Sequence, residues 1–244
     1  MVALAYRRRA LPIAWTWVRA KRGHSSGWKQ CALLDYVRQL VPAEAEVIVS
    51  GDREFTPLQA RLESWNWFYA LRQKGSHRLQ QHESEAWQRC DALVTEPGQR
   101  LWLTDILLTQ EHHHACHFLA LWQRGEKEPW LIATNFPSAR QTRLHYSRRM
   151  WIEEMFGDFK GHGFDLEASR LRHFLRLSRL TLAVSMLYVM TLAFGSQTIK
   201  NGLRHLVDRH DRRDLSIFRI GFDMLQRCFA NDSPVSIRSS PYFS

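Results

Sequence analysis

The stretch YSRRMWIEEMFGDFK, residues 146–160, places four chemically distinct residues on what its periodicity predicts to be one face of one helix. At about 100° per residue, Tyr146, Arg149, Glu153 and Lys160 fall within an arc of about 60°, while Glu154 points elsewhere. A carboxylate flanked by two cations and a phenol suits a metal ion bound beside a phosphate. Working outward, residues 2–6 and 13–18 read as the strands of a hairpin around the basic turn RRRALP, with Pro12 at the start of the second strand. A helix follows, capped by Ser25 or Ser26, with Leu33, Leu34, Val37 and Leu40 as its apolar face and Pro42 beyond its end. Residues 47–50 read as a short buried strand leading into GDREF at 51–55. Thr56 and Pro57 then read as the N-cap and first residue of another helix, and residues 68–72 resume strand.

From residue 75 to 142 the texture changes to scattered aromatics and short β-like runs at 101–103, 118–122 and 130–134, which predicts a β-rich insertion. Three helices are expected after it: one around 145–160, one from Asp165 as N-cap through 195, and one from 214 to about 230, with GHG at 161–163 joining the first two. The order predicts an α/β fold with a mixed sheet. Its parts are residues 1–74 and 143–230 as a core, 75–142 as the insertion, and 231–244 as a loose tail rich in Ser and broken by Pro. Asp52, just past a buried strand, stands where open α/β sheets place their chemistry, although on position alone an Asx turn closing the strand accounts for it better. Glu153 has the matching bland reading of a solvated helix acid.

With 244 residues, 45% of them hydrophobic, and ten Trp, the chain can bury a full core. A net charge of +10 favours a polyanionic partner, nucleic acid first among them, over a surface that merely keeps the protein dispersed. Between residues 140 and 220 fifteen Lys or Arg stand against eight Asp or Glu, and Arg172, Arg176 and Arg179 share a helix stripe, either a phosphate-contacting face or a solvated one. The four cysteines have no C-x-x-C spacing, which fits a reduced, cytoplasmic setting without disulfides. The first residues lack the pattern of a secretory signal. The longest apolar run, 180–194, is shorter than the roughly 20 residues of a bilayer span, so a buried helix and no membrane partner are expected. EHHHACH, with His112, His113, His114, Cys116 and His117, offers zinc ligands without a recognised spacing, and an exposed loop or strand edge fits it better. Trp130 and other aromatics of the insertion suit either core packing or stacking on a displaced base.

The spacing Tyr146, Arg149, Glu153, Lys160 resembles the Y-R-E-K signature of insertion-sequence DDE transposases of the insertion-sequence-four type. GDREF resembles that family's second-aspartate motif, YRRRALPIAWTWV its preceding hairpin, and WLIATN and DRRDLSIFRIGF the stretches flanking and following the signature. The resemblance implies a ribonuclease-H-like mixed sheet with helices, interrupted by a β-rich insertion. It implies three carboxylates holding two divalent metal ions, usually Mg²⁺, for cleavage and strand transfer on double-stranded DNA at transposon ends. By the same resemblance Asp52 and Glu153 are catalytic metal ligands. Tyr146 and Arg149 hold a phosphate near the cut end, Lys160 contacts DNA beside it, and a homodimer in a synaptic complex is expected.

Members of the family carry a first catalytic Asp before the hairpin, and here no Asp or Glu precedes Asp35, which the pattern assigns to a helix. The expectation is therefore an N-terminally truncated or misannotated transposase with little or no transposition activity of its own. The alternative is a non-catalytic DNA-binding or transposase-interacting remnant that inhibits active copies.

Overall fold

The structure, a computed structural model, describes residues 1–18, 25–53, 58–82, 85–161 and 163–237. The chain divides into two compact units, Met1–Arg8 with Ile13–Trp151, and Arg9–Pro12 with Ile152–Ser244. Strands β1 (Val2–Tyr6) and β2 (Arg9–Ala14) form a two-stranded sheet. Arg7 and Arg8 turn the chain with φ of 45° and 64°, the left-handed pair that matches strand twist in a tight hairpin. The turn is thus shorter than the RRRALP loop expected, and Pro12 lies inside β2 rather than at its start.

In the first unit, α1 (Gly27–Leu40) follows Ser26 as N-cap, and its Leu34 and Val37 are buried, whereas Leu40 is left exposed. Strand β3 (Ile48–Gly51) runs parallel to β4 (Phe68–Arg72), the two joined across α2 (Gln59–Ser64). The N-cap expected at Thr56 and Pro57 lies outside the described residues, as do Glu54 and Phe55 of GDREF. Residues 75–142 add five strands to the same sheet: β5 (Arg78–Gln80), β6 (Gln88–Arg89), β7 (Arg100–Leu108), β8 (His114–Leu121) and β9 (Trp130–Thr134). The sheet order is β3-β4-β9-β8-β7-β5-β6, with only the β3–β4 pair parallel. A register shift between Leu103 and Ile106 marks a bulge in β7, where Asp105 has φ of 54°. Strands β4, β8 and β9 are nearly continuous apolar runs because both of their faces are covered, as in Tyr69, Ala70 and Leu71 at 0% exposure. A mixed α/β fold is thus what the chain forms, and its seven-stranded mixed sheet with helices is consistent with a ribonuclease-H-like fold.

The single helix expected around 145–160 is two helices. Helix α3 (Ala139–Ser147) begins earlier, at an N-cap Ser138 that accepts from the Gln141 amide, and α4 (Met150–Phe159) starts after a break at Arg148 and Arg149. Through the break the amides of Arg148, Arg149 and Trp151 bond back three residues instead of four, so one wheel cannot be drawn across it.

In the second unit, the helix expected from Asp165 is displaced. Residues Leu166–Ser169 make a 3₁₀ turn, and α5 (Phe174–Lys200) begins at His173 and runs past 195. Asp165 itself has φ of 45°, outside the geometry of an N-cap. Helix α6 (Ile217–Ala230) is capped by the Ser216 hydroxyl, which accepts from the Arg219 amide at 3.1 Å, so the expected start at 214 moves by three residues. His162 of GHG lies outside the described residues. Phe159, Phe164, Tyr188 and Phe218 form an aromatic cluster with centroids 5.2 to 6.4 Å apart, edge-to-face except for the tilted Tyr188–Phe218 pair. Val235 and Ile237 of the segment expected to be loose pack against Phe194, Met224 and Cys228.

Helices α5 and α6 touch backbone to backbone. A Cβ on Gly195 would lie 2.1 Å from the Ile217 carbonyl oxygen, and one on Gly221 2.0 Å from that of Thr191. Neither oxygen can move without breaking its helix. Gly221→Ala should therefore destabilise the protein by about 1–3 kcal/mol or more, whereas Gly161→Ala, with nothing within 4 Å, should stay within about 0.5 kcal/mol. Urea unfolding of the two variants beside the parent chain checks this contrast.

Candidate active site

The parallel register of β3 and β4, Ile48↔Phe68 to Gly51↔Leu71, brings the two strands to their carboxyl ends together. The next residue on each is functional in type: Asp52 after β3 and Arg72 at the end of β4. Antiparallel β9 lies on the other side of β4 and supplies Trp130. Helix α3 is fixed to β3 by the Ser50 hydroxyl, which donates to the His145 carbonyl at 3.3 Å. The His145 ring stacks on Phe136 at 4.8 Å, and Phe136 stacks on Phe68 at 5.0 Å, so three parallel rings set the position of the helix end.

These contacts turn Tyr146 into the sheet. It is 1% exposed, packs with Ala70, Leu119, Leu121 and Ile132, and meets the Trp130 ring edge-on at 5.0 Å. The Arg149 guanidinium lies 5.5 Å from the centre of the Tyr146 ring. Burial raises the Tyr146 phenol above its ordinary range; the positive charges of Arg149 and Arg72 oppose the rise, and the negative charge of Asp52 adds to it. Tyr146, Arg149, Arg72 and Asp52 thus share one electrostatic neighbourhood within the first unit.

Asp52 Oδ1 is buried and has no hydrogen-bond partner among the described residues. Its cationic neighbours are held elsewhere. Arg72 donates to Glu128 at 3.2 Å and to the Pro129 carbonyl at 3.1 Å, and Arg53 pairs with the same Glu128. A carboxylate oxygen left unsatisfied beside tethered arginines fits a role as a cation ligand. Among the described residues, no group of three or more His, Cys, Asp or Glu is assembled for a metal ion.

Glu153 and Lys160 belong to the second unit, Glu153 on the first turn of α4 and Lys160 just beyond its end, both exposed. Glu154 is taken up by an ion pair with Arg9 of β2. Of the five residues picked out by sequence, Asp52, Tyr146 and Arg149 converge in the first unit. Arg72, Glu128 and Ser50 join them without having been read from the sequence. The one signal for Arg72 is its place, a charged residue ending an apolar strand level with Asp52.

The histidines of 112–117 have separate surroundings. His113 lies against Trp87 and His117 against Trp102, and His114 Nε2 is 3.1 Å from Glu63, which also accepts from the Tyr69 hydroxyl at 2.8 Å. Asp35 pairs with Arg61 at 3.0 Å, a structural role on α1.

Burial and the Arg148 charge lower the His145 pKa, opposed by Glu46, and burial with Lys74 lowers that of His77. A folded value below the unfolded 6.5 means that the unfolded chain takes up the proton first as pH falls. Stability should be complete above that value, decline below it, and level off under the folded value. His145→Phe keeps the ring stack and removes its share of the titration. Urea midpoints measured from about pH 8 to about pH 5 should therefore fall less steeply in the variant.

The family model for the transposase DDE domain matches residues 2–190. That span contains the sheet, Asp52 and the whole of 146–160. No curated protein matches the chain at a significant level.

Proposed function

The chain belongs to the transposase DDE-domain family, and on that footing we propose that it acts at the ends of a DNA insertion sequence of the insertion-sequence-four type, with Asp52 and Glu153 as metal ligands and Tyr146, Arg149 and Lys160 serving DNA. The family is one of DNA-cleaving and strand-transferring enzymes whose partner is DNA at transposon ends. The observation that carries the residue assignment is the convergence of Asp52, with its buried and unsatisfied Oδ1, on the Tyr146–Arg149 pair. Two divalent ions, magnesium in this reading, would be held by Asp52 and Glu153 and would activate the attacking hydroxyl and neutralise charge at the leaving oxygen. Tyr146, buried and with its phenol proton held, fixes the Arg149 guanidinium, which carries the positive charge toward a phosphate. Lys160 adds a second positive charge beside the same strand. A cytoplasmic setting and a homodimer in the synaptic complex belong to this reading.

A complete metal pair needs a third carboxylate, and Asp35 does not offer one because Arg61 holds it. The same observation favours a second reading, in which a chain with two ligands binds DNA or active transposase without cutting and so inhibits transposition.

The purified 244-residue chain should bind duplex DNA carrying the cognate ends with an affinity that falls steeply with salt. Arg149→Ala and Lys160→Ala should each reduce the salt slope by about one. Mn²⁺- or Mg²⁺-dependent strand cleavage should be absent or weak. Robust cleavage that disappears in Asp52→Ala would overturn the two-ligand account, and an absence of salt-dependent DNA binding would overturn the whole assignment.

A further inference from the structure

Helix α5 is apolar on two opposite sides. One side, with Thr181, Val184, Tyr188, Thr191, Gly195 and Thr198, is buried in the second unit. The other carries Leu175, Leu182, Met186, Val189 and Met190 at 41–59% exposure. At about 100° per residue these five fall within an arc of about 100°, with Leu175, Leu182 and Val189 seven residues apart, the spacing of a helix-pairing seam. Within the described residues α5 is the helix long and apolar enough to cross a membrane, with a mean hydropathy of 1.6, yet only 39% of that window is buried. Sequence periodicity alone predicts a buried helix here; the structure buries one face of it.

We propose that this outward stripe pairs α5 with α5 of a second copy of the chain, antiparallel, about a two-fold axis near Leu182 and Met186. The inference deepens the homodimer of the proposed function by giving it a surface, and rests on that reading for its purpose.

Three observations choose this occupant. The five side chains expose roughly 500 Å² of apolar surface, near the upper end of what a monomer leaves in one patch. The stripe is also self-complementary. An axis between Leu182 and Met186 sets each against the other in the partner, and sets Leu175 near Ala193, large against small.

Charge then fixes the direction. Arg179 and, at the end of the helix, Lys200 are the charged residues inside the arc, and α5 carries no Asp or Glu. Parallel pairing would bring two Arg179 side chains together. Antiparallel pairing separates them by ten residues of helix, about 15 Å, beyond the Debye length at physiological salt, and also opposes the two helix dipoles.

The test uses the full chain without DNA. Sedimentation and light scattering at micromolar concentration should give a dimer, and Leu182→Glu with Met186→Glu should give a folded monomer with the helical circular dichroism of the parent. In a Cys31→Ser background, chains carrying Leu182→Cys mixed with chains carrying Met186→Cys should form a covalent dimer on oxidation, while Leu175→Cys alone should not. A parent chain that is monomeric at tens of micromolar overturns the proposal. So does a monomer that floats with phosphatidylcholine vesicles, which would make a bilayer the occupant. A double variant that melts earlier without changing its oligomeric state overturns it by showing that the face packs within its own chain. Duplex binding by the parent chain, measured separately, reports on the transposase reading, so a monomer that still binds cognate ends removes the dimer surface and leaves that reading standing.

Discussion

The parallel pairing of β3 with β4 is the constraint on which the candidate site depends. Two parallel neighbours deliver their carboxyl ends to the same edge of the sheet, and in this register Asp52 and Arg72 arrive level with each other. An antiparallel pair would have sent them to opposite ends. Everything else around Asp52 is hung from that edge: Ser50 holds the end of α3, the Phe68–Phe136–His145 stack sets its distance, and Glu128 restrains both Arg53 and Arg72. The last of these matters because a free guanidinium beside Asp52 would satisfy the carboxylate internally. Glu128 lies partly exposed, so its pairs with Arg53 and Arg72 contribute little stability, but they occupy the donors that would compete for Asp52.

How much of this was legible in the sequence follows from where the determining forces are local. Strand β4 could be read from 68–72 because its apolar run is continuous and covered on both faces, and the runs in 101–103, 118–122 and 130–134 mark strands for the same reason. Their membership of one sheet with β3 could not be read, since strand pairing between residues 70 and 134 is set by contacts far apart in sequence. The helix break at Arg148 and Arg149 was hidden for another reason. The segment HYSRRM contains neither Gly nor Pro, and its propensities favour continuing the helix. What ends α3 is tertiary: Tyr146 is drawn into the cluster of Trp130, Ile132 and Leu119, and the backbone after it tightens to three-residue bonds. The four-residue face read from 146–160 therefore named chemically coherent residues while giving the wrong local geometry for them.

Helix α5 shows the complementary failure. Its composition signals burial without saying against what, because a periodicity count cannot separate one apolar face from two. The structure resolves this through glycine. Gly195 and Gly221 let the α5 and α6 backbones meet, which spends the face containing Thr191 and Gly195 on that crossing and leaves the opposite stripe uncovered within the second unit. Larger residues at those positions would hold the helices further apart.

The burial of Tyr146 decides how the residues around Asp52 share their work. A tyrosine exposed at the surface could meet a phosphate directly, but this one is enclosed by sheet side chains, and burial raises its pKa, which favours the neutral phenol. Its contribution is then steric and electrostatic toward Arg149. The ring fills the space beneath the guanidinium and presents a face that favours a positive charge. Arg149, only partly buried and sitting in the break between α3 and α4, is the member of the pair that can face an anion. Three residues apart, Tyr146 and Arg149 would face each other on a regular helix too, and the tightened turn keeps that pairing, so the buried ring and the charged group act as one unit in the neighbourhood of Asp52.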